Sequence, residues 1–252
     1  YQKREAQIKS WIKSVGEDVR VHGFVIPNGT ITGRMTHREP NMAQVPSSSS
    51  PYGEDCRACW TVPKGYKLVG IDASGLELRM LAHYMEDEDY TNEIINGDVH
   101  TANQKLAGLE SRNQAKTFIY ALLYGAGDEK LGSVAGGGRA VGQGLRKSFF
   151  DNLPAFTNLK NKVARAAGRG YLKGLDGRKL FVRSEHSALN TLLQGAGAIV
   201  MKQALVLFND ELEKEGLDAH FVCNVHDEWQ LEVLEKDADR VGKMGVEAII
   251  NA

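Results

Sequence analysis

The stretch that most limits the possible folds is NVHDEWQLEV, Asn224 to Val233, which sets two adjacent acids between two alternating runs. Apolar residues recur at every second position before and after the acids, the period of a half-buried strand. The pattern therefore predicts a β-hairpin whose tip carries His226, Asp227 and Glu228. Acids at an exposed turn are ordinary because water solvates them, so a metal site here requires a second acid from elsewhere in the chain.

Helical spacing of apolar residues predicts helices over 2–15, 74–85, 111–125, 145–168 and 187–215, with a final helix after the hairpin. YKLVGID, Tyr66 to Asp72, predicts a buried strand that ends at an acid, and 20–46 predicts strands and a turn. The acidic EDEDY segment (86–90) predicts a loop, and the glycine-rich SVAGGGRAVGQG (133–144) predicts a flexible connection without a P-loop pattern. Helices flanking a small antiparallel sheet predict an α+β fold.

Composition favours a soluble globular protein, since 42% of the 252 residues are hydrophobic and 25% are charged. Three cysteines do not form a disulfide framework, and the Cys56–Cys59 pair lacks a second pair to complete a zinc site. We therefore expect a reducing, cytoplasmic setting, the host cytoplasm if the protein is viral. No apolar run approaches the length of a membrane span, so no membrane partner is expected. The absence of an initiator methionine suggests a piece of a longer chain.

Positive charge is concentrated in one segment of the chain. Between Ser111 and Arg183 there are 14 lysines and arginines against 4 acids, which leaves ten net positive charges there. Because the whole chain has a net charge of −1, the remainder carries eleven net negative charges. This asymmetry is typical of an anion-binding face joined to an acidic region, although a solvated basic face without a ligand fits it too.

Asp72 is the second acid that a metal site would need. It follows a predicted strand, and an acid at a strand end that faces a hairpin-tip acid can help hold two divalent cations. Hard cations such as Mg²⁺ prefer carboxylate oxygens. Two acids on strands are a weak signal when taken alone.

The predicted helix after Ser111 strengthens that signal. RNQAKTFIYALLY places Arg112, Lys116, Tyr120 and Tyr124 at steps of four, along one slowly turning stripe of a helix. Two cations suit a triphosphate, and two aromatic rings suit a sugar and a base. The alternative is structural: the cations would extend into solvent while the tyrosines pack in the core.

Three further sequence motifs bear on the function, and their order along the chain matters. DASGLELR, RNQAKTFIYALLYG and VHDE resemble the palm-and-fingers motifs of A-family DNA polymerases, and most closely those of short-tailed bacteriophage enzymes. TGRMTHREPNMAQVP resembles the block before the first motif, NGDVHTANQ the segment between motifs, and ALNTLLQGAGA the helix before the last motif. The resemblance implies a right-hand polymerase palm, a small antiparallel sheet with helices, plus helical fingers and little of the thumb. It assigns 1–100 to the end of the thumb and first part of the palm, 101–183 to the fingers, and 184–252 to a truncated second part of the palm.

The resemblance also implies roles for individual residues. Two Mg²⁺ ions would be held by Asp72, Asp227 and the Ala73 carbonyl, with Glu228 a secondary acid near the primer end. Residues that bind the incoming nucleotide would be Glu77, His100, Arg112, Lys116 and Tyr120, and Lys116 would also join the acids in catalysis. Residues that contact DNA would be Arg34, Gln44, Tyr124, His186, Asn190, Gln194 and His226.

Some of these implied roles are more specific. Glu77 would hydrogen-bond Tyr120 and exclude a ribose 2′-hydroxyl, which would select deoxynucleotides. Tyr120, where some relatives have Phe, implies ready acceptance of dideoxynucleotides. His186 occupies a position that is often Arg in bacterial relatives, a difference that the resemblance suggests it shares with phage enzymes.

The implied function is DNA-directed DNA polymerisation in viral DNA replication, with primer–template DNA and dNTPs as partners and a processivity factor that the sequence does not identify. Three alternatives stay open. A single-subunit RNA polymerase has a similar fingers helix, but Glu77 argues against it. A two-metal nuclease would not need the Arg-Lys-Tyr-Tyr stripe. A catalytically inactive binding module would fit a truncated chain, because Ala252 lies only 24 residues after Glu228 and phage relatives continue with a further strand segment.

Overall fold

The structure is a computed structural model that describes residues 2–252. The chain forms two compact units. The first unit consists of residues 2–74 and Ala198–Ala252, and the second unit is Gly75–Gly197.

Helices make up most of the described chain. In chain order they are α1 (Gln2–Lys13), α2 (Gly53–Ala58), α3 (Leu76–Met85), α4 (Glu88–Ile95), α5 (Val99–Ala107), α6 (Arg112–Leu123), α7 (Asp128–Val134), α8 (Arg139–Asn152), α9 (Pro154–Ala167), α10 (Glu185–Lys214) and α11 (Ala238–Ile250). The strands are β1 (Phe24–Ile26), β2 (Thr36–Arg38), β3 (Tyr66–Asp72), β4 (Tyr171–Lys173), β5 (Lys179–Phe181), β6 (Ala219–Val225) and β7 (Glu228–Leu234). Short 3₁₀ turns lie at Met42–Gln44 and Glu235–Asp237.

The first unit is built on a three-stranded antiparallel sheet in the order β3–β7–β6. One face of this sheet is apolar and buried: Trp229, Leu231 and Val233 of β7 are fully covered. Phe208 of α10 stacks on Trp229 with 5.5 Å between the ring centroids, and α11 packs against β3. The predicted hairpin is therefore confirmed, and its core anchor is Trp229.

The prediction that Tyr66–Asp72 is a buried strand was only half correct. The strand forms, but Ile71 alone is buried along it, and Leu68 is 45% exposed. The reason is position in the sheet. Within the described residues β3 pairs only with β7, and α11 covers a single face, so alternate residues of an apolar run remain in contact with solvent.

The second unit contains α3–α9, the first part of α10 and the two-stranded sheet β4–β5. Its core is aromatic and aliphatic, with Phe118, Ile119, Phe149, Phe156 and Leu193 almost completely buried. The predicted helix over 74–85 and the long helix over 187–215 are confirmed as α3 and α10.

Two loop predictions in the second unit were wrong. The acidic segment begins α4, because the Asp87 side chain caps it by accepting a hydrogen bond from the Tyr90 N–H at 2.8 Å. The glycine-rich segment contains the end of α7 and the start of α8 rather than a flexible connection. Its glycines let the two helices approach closely: a Cβ at Gly142 would lie 1.8 Å from the Asp128 carbonyl oxygen. Tertiary packing overrides the low helix propensity of glycine here.

α10 runs for 30 residues and belongs partly to each unit. By length and composition alone it could cross a membrane, but 56% of its most apolar window is buried inside the protein. Burial of this kind is typical of a core helix in a globular protein.

Candidate active site

A two-residue turn at His226 and Asp227 joins β6 to β7, with Val225 paired to Glu228 across the hairpin. His226 has a φ of 57°, in the left-handed region, and its side chain is exposed. A two-residue hairpin turn needs a positive φ to match the twist of its strands. The turn therefore presents the Asp227 side chain at the end of the sheet.

Asp72 reaches the same end of the sheet from β3. The two ladders align Asp72 directly with Glu228, the last pair of β3 and β7. One residue later, the N–H of Ala73 donates a hydrogen bond to the Asp227 carbonyl oxygen at 2.9 Å. Directly paired residues of an antiparallel ladder project side chains to one face. Asp72 and Glu228 therefore share a face, and the backbone of Asp227 is fixed against Ala73.

Glu228 is itself oriented by a neighbour two residues along β7. The side-chain amide of Gln230 donates a hydrogen bond to Oε1 of Glu228. Gly70 is the cross-strand partner of Gln230, and a Cβ at Gly70 would lie 2.8 Å from Nε2 of Gln230. The absence of a side chain at Gly70 thus leaves the space that the amide occupies.

A third acid, Glu232, lies on the same face of β7 but has a structural partner. Nη2 of Arg20 contacts both carboxylate oxygens of Glu232, at 2.9 and 3.0 Å, and the Glu232 side chain is almost completely buried. Arg20 therefore pairs with the charge of Glu232 within the fold. For this reason we do not count Glu232 among the candidate metal ligands at the hairpin end.

The donor chemistry at this end of the sheet fits a hard divalent cation. Asp72, Asp227 and Glu228 offer carboxylate oxygens from adjacent chain segments, the ligands that Mg²⁺ prefers. Across residues 2–252, no three His, Cys, Asp or Glu side chains converge closely enough to form a ready-made cage. A small number of protein carboxylates suits Mg²⁺, which keeps several of its waters and also binds substrate phosphates.

In the second unit, α6 begins at a capping box. The Ser111 hydroxyl accepts from the Gln114 N–H at 3.3 Å, and Oε1 of Gln114 accepts from the Ser111 N–H at 3.1 Å. The helix buries Ala115, Phe118, Ile119, Leu122 and Leu123 on one face. The opposite face carries the predicted stripe: Arg112, Lys116 and Tyr124 are exposed, and Tyr120 is half-buried.

Arg112 is held by Asp98, the residue that caps α5. Nε and Nη2 of Arg112 donate to the two carboxylate oxygens of Asp98 at 2.6 and 3.1 Å. Asp98 also accepts from the His100 N–H at 3.1 Å and from the Thr101 hydroxyl at 2.8 Å. Chiefly because of the Arg112 hydrogen bonds, followed by that of Thr101, the pKa of Asp98 is well below its usual range.

His100 lies beside Tyr120, with 6.2 Å between their ring centroids. Burial, and then the positive charges of Arg112 and Lys116, lower the pKa of His100. A neutral imidazole carries one N–H donor, so His100 adds a hydrogen-bond donor rather than a third full charge to this face.

Tyr124 ends the stripe just after α6, and its side chain is 51% exposed. Its hydroxyl makes a long contact of 3.5 Å with Oε1 of Glu77, whereas the sequence predicts that Glu77 bonds Tyr120; that bond stays a prediction. Gly125 follows with a φ of 78°, and a Cβ there would lie 2.7 Å from the His186 carbonyl oxygen. The glycine therefore brings the end of α6 against the start of α10.

The predicted DNA-contacting residues of α10 form its polar stripe in the second unit. His186 is exposed, whereas Asn190 and Gln194 are partly exposed on a helix whose neighbouring residues are mostly buried. Steps of four residues place the three on one face. In the first unit, Gln44 lies exposed in the 3₁₀ turn that packs on β6, and Arg34 lies just before β2.

A family model described as DNA polymerase family A matches residues 2–252. The chain belongs to DNA polymerase family A.

Two phage proteins are among its relatives, both named DNA-directed DNA polymerase. The chain is 45% identical to the one from Enterobacteria phage T3 and 46% identical to the one from Escherichia phage T7, each over 255 residues. Both alignments cover 88% of this chain and 36% of the relative. The chain thus spans about a third of the length of these family A relatives.

The fold is also that of a solved structure, the POL domain of Pol1 from M. smegmatis in complex with DNA primer-template and dNTP. The TM-score is 0.90 at 23% sequence identity, over 99% of this chain and 48% of that chain. The α+β fold of palm and fingers is therefore confirmed.

Three features of this family A chain were absent from the sequence predictions. Asp98 lies in the NGDVH block, where its position before a helix could have been recognised as an N-cap. Its pairing with Arg112 could not have been recognised from the sequence. Gln230 and Gly70 carry no local motif, and only the strand register places them together. The predicted residues do fall into groups: Asp72, Asp227 and Glu228 lie in the first unit, whereas Glu77 and the cationic and aromatic stripe lie in the second.

Proposed function

We propose that this chain carries the nucleotidyl-transfer residues of a DNA-directed DNA polymerase that serves viral DNA replication. The observation that carries the proposal is the pairing of Asp72 with Glu228, with the Ala73 N–H bonded to the Asp227 carbonyl oxygen. This arrangement joins the DASGLELR and VHDE motifs, which are separated by about 150 residues of sequence, at one end of one sheet.

Membership of the family implies a metal-dependent polymerase. Asp72 and Asp227, with the Ala73 carbonyl, would hold two Mg²⁺ ions, and Glu228 would support them near the primer end. When bound, the ions supply Lewis-acid activation of the primer 3′-hydroxyl and charge neutralisation for the departing pyrophosphate. The carboxylates contribute position and negative charge, and the new bond joins the 3′-oxygen to the α-phosphate of the nucleotide.

The stripe on α6 would bind the incoming dNTP. Arg112 and Lys116 offer a fork and a point charge to the triphosphate, and neutral His100 offers a hydrogen bond. Tyr120 would stack on the nucleotide. Glu77 would exclude the 2′-hydroxyl of a ribonucleotide, because a carboxylate beside that position leaves no room for it.

The remaining polar residues would bind primer–template DNA. Tyr124 would lie by the templating base, and His226 would contact the primer terminus. His186 would contact the DNA as well. The minor groove presents acceptors common to all correct base pairs, which suits long or amide side chains: Arg34, Gln44, Asn190 and Gln194.

The domain assignment is part of the proposal. Residues 1–100 and 184–252 would be thumb end and palm, and 101–183 would be fingers. The packing joins 75–100 and 184–197 to the second unit, so their assignment to the palm rests on the resemblance alone. We expect the protein to act in the cytoplasm, with a processivity factor whose nature the chain does not specify.

Primer extension tests the proposal. The 252-residue chain should extend a DNA primer with dNTPs and Mg²⁺, but not with rNTPs and not after chelation. Asp227→Asn should reduce the rate more than about 100-fold, since loss of even an outer-sphere partner of a metal ligand costs 10–100-fold. Asp239→Asn, an exposed acid on α11, is the matched control and should keep the wild-type rate. Equal rates for both variants would refute the assignment.

A further inference from the structure

The hairpin β4–β5 in the second unit carries an unusual outer face. Each of its strands, with the flanking turn, reads cation, aromatic, cation at alternate positions. In chain order the first set is Arg169, Tyr171 and Lys173, and the second set is Lys179, Phe181 and Arg183.

The strand register brings these two sets together. Tyr171 pairs with Phe181, and Lys173 pairs with Lys179, so the two rings lie side by side and the two lysines lie side by side. The intervening pair, Leu172 with Leu180, points to the opposite face and is almost completely buried. The hairpin is therefore anchored by its leucines and presents the rings and cations outward.

The cations lie close to the aromatic rings. The Arg169 guanidinium is 5.7 Å from the centroid of the Tyr171 ring, and Nζ of Lys179 is 4.7 Å from the same centroid. The Phe181 ring is 67% exposed, and the surrounding cations are exposed as well. Such a surface offers a flat apolar plane within reach of several positive charges.

The cations of this face repel one another in the isolated protein. Like charges placed directly opposite one another on a ladder are destabilising, as Lys173 and Lys179 are here. The nearest hairpin acid, Asp176, is bound to Arg178 at 2.6 Å, and no ion pair in the described part of the chain engages the four cations of the outer face. An anionic ligand would relieve the repulsion.

We propose that this outer face binds single-stranded DNA without sequence preference. A base would stack on the exposed Phe181 ring, and phosphates would pair with the surrounding lysines and arginines. An acidic peptide would use the cations but would have no use for a solvent-exposed ring plane. Arg183 also lies three residues before His186, at the start of the polar stripe on α10. This inference rests on the proposed polymerase function, in which the strand bound here is the unpaired template.

Fluorescence anisotropy of a labelled oligothymidylate with the 252-residue chain tests the stacking. Phe181→Ala should weaken binding by about 5- to 150-fold, the value of one lost base stack. Phe181→Tyr keeps the ring and should restore wild-type affinity. Phe181→Leu keeps apolar bulk without the ring and should bind as weakly as the alanine variant. Because the Phe181 side chain is largely exposed, the variants should keep the wild-type unfolding midpoint.

The salt dependence of the same binding tests the charges. Lys173→Ala with Lys179→Ala should lower the slope of log affinity against log salt by about 1.4, or 0.7 for each phosphate contact on a single strand. Lys13→Ala with Lys236→Ala removes two exposed lysines of the first unit and should leave the slope unchanged.

Wild-type affinity of Phe181→Ala would overturn the inference. So would displacement of the oligothymidylate by an oligoglutamate peptide at equal charge concentration, which would indicate an acidic protein partner instead. Failure of the proposed function is separately visible, because a chain that cannot extend a primer can still be assayed for oligothymidylate binding.

Discussion

Asp98 and Arg112 are joined by two hydrogen bonds, from Nε and Nη2 of the guanidinium to the two oxygens of the carboxylate. A guanidinium has five N–H donors in a rigid fork, so this pair uses one edge and leaves the Nη1 edge to bind an anion. Asp98 in turn is held by the first turn of α5, through the His100 N–H and the Thr101 hydroxyl. Asp98 thus orients the arginine that we propose for triphosphate binding.

The first prediction is that Asp98→Asn raises the KM for dNTP about 3- to 10-fold, the value of a charge-assisted hydrogen bond discounted for solvent exposure. Asparagine is as good a helix cap as aspartate, so α5 should remain intact. Asp87→Asn is the matched control, because Asp87 also caps a helix but pairs with no arginine in the described part of the chain. Steady-state single-nucleotide incorporation measures both.

A double-mutant cycle separates orientation from other effects. If Asp98 acts through Arg112, adding Asp98→Asn to Arg112→Ala should raise the KM no further. An equal rise in both backgrounds would show that Asp98 acts independently of the arginine and would contradict this role. No effect of Arg112→Ala itself would instead count against the proposed triphosphate site.

The second prediction concerns two glycines of α8. A Cβ at Gly142 would meet the Asp128 carbonyl oxygen at 1.8 Å, whereas a Cβ at Gly144 would meet nothing within 4 Å. Gly142→Ala should therefore lower the free energy of unfolding by about 1–3 kcal/mol through overpacking. Gly144→Ala should raise it by up to about 1 kcal/mol, because alanine is the better helix former. Urea denaturation of both variants checks the pair, and equal effects would contradict the close approach of α7 and α8.

These glycines illustrate what the sequence could predict and what it could not. The hairpin at Asp227 and the helix α6 were predictable because their evidence is local: alternation, helical spacing and a cap. The glycine-rich segment was not predictable, since its helices depend on how closely two backbones meet. The exposure of β3 was equally hidden, because an apolar run does not show which face of a strand is covered.

The same contrast holds for the candidate site. Asp72, Arg112 and Lys116 could be named from motifs, and their elements could be placed. The partners that orient them could not be named from motifs. Asp98 and Arg112, for example, are 14 residues apart and meet only through the packing of α5 on α6. Motifs record the residues that act, whereas contacts between elements decide how those residues are held.

The third prediction concerns the ionisation of His100. Burial is the main cause that lowers its pKa, and Arg112 and Lys116 lower it further, so the ring should titrate below the ordinary histidine value of 6.5. Lys116→Ala should raise the pKa of His100 only part of the way to that value, because burial remains. Nitrogen-15 NMR titration of the imidazole measures both. A wild-type pKa at or above 6.5 would contradict the lowering by burial and by the two cations.

The lowered pKa also sets the sign of a stability effect. The unfolded chain takes up a proton at the ordinary value, whereas folded His100 takes it up only at lower pH. The stabilisation from the neutral ring is therefore complete above about pH 6.5 and decreases as the pH falls through the window below it. His100→Gln should remove this part of the pH dependence of the free energy of unfolding.

The last prediction concerns the orientation of Glu228. The Gln230 amide donates to Oε1 of Glu228, and Gly70 leaves space for that amide. Gln230→Leu removes the donor while keeping similar bulk, so the Glu228 carboxylate would be held less firmly beside Asp72. We expect kcat for primer extension to fall about 3- to 10-fold, the cost of one hydrogen bond to a partly exposed charge. The KM for dNTP should change little, because the residues that we propose for triphosphate binding lie on α6.

Gly70→Ala gives an independent route to the same result. The added methyl would lie 2.8 Å from Nε2 of Gln230, the mobile end of a side chain, so it should displace the amide rather than unfold the sheet. Both single variants should show the same loss of kcat, and the double variant should be no slower than Gln230→Leu alone. Additive losses would mean that Gly70 acts through another neighbour. A wild-type kcat for Gln230→Leu would mean that Glu228 needs no orienting partner.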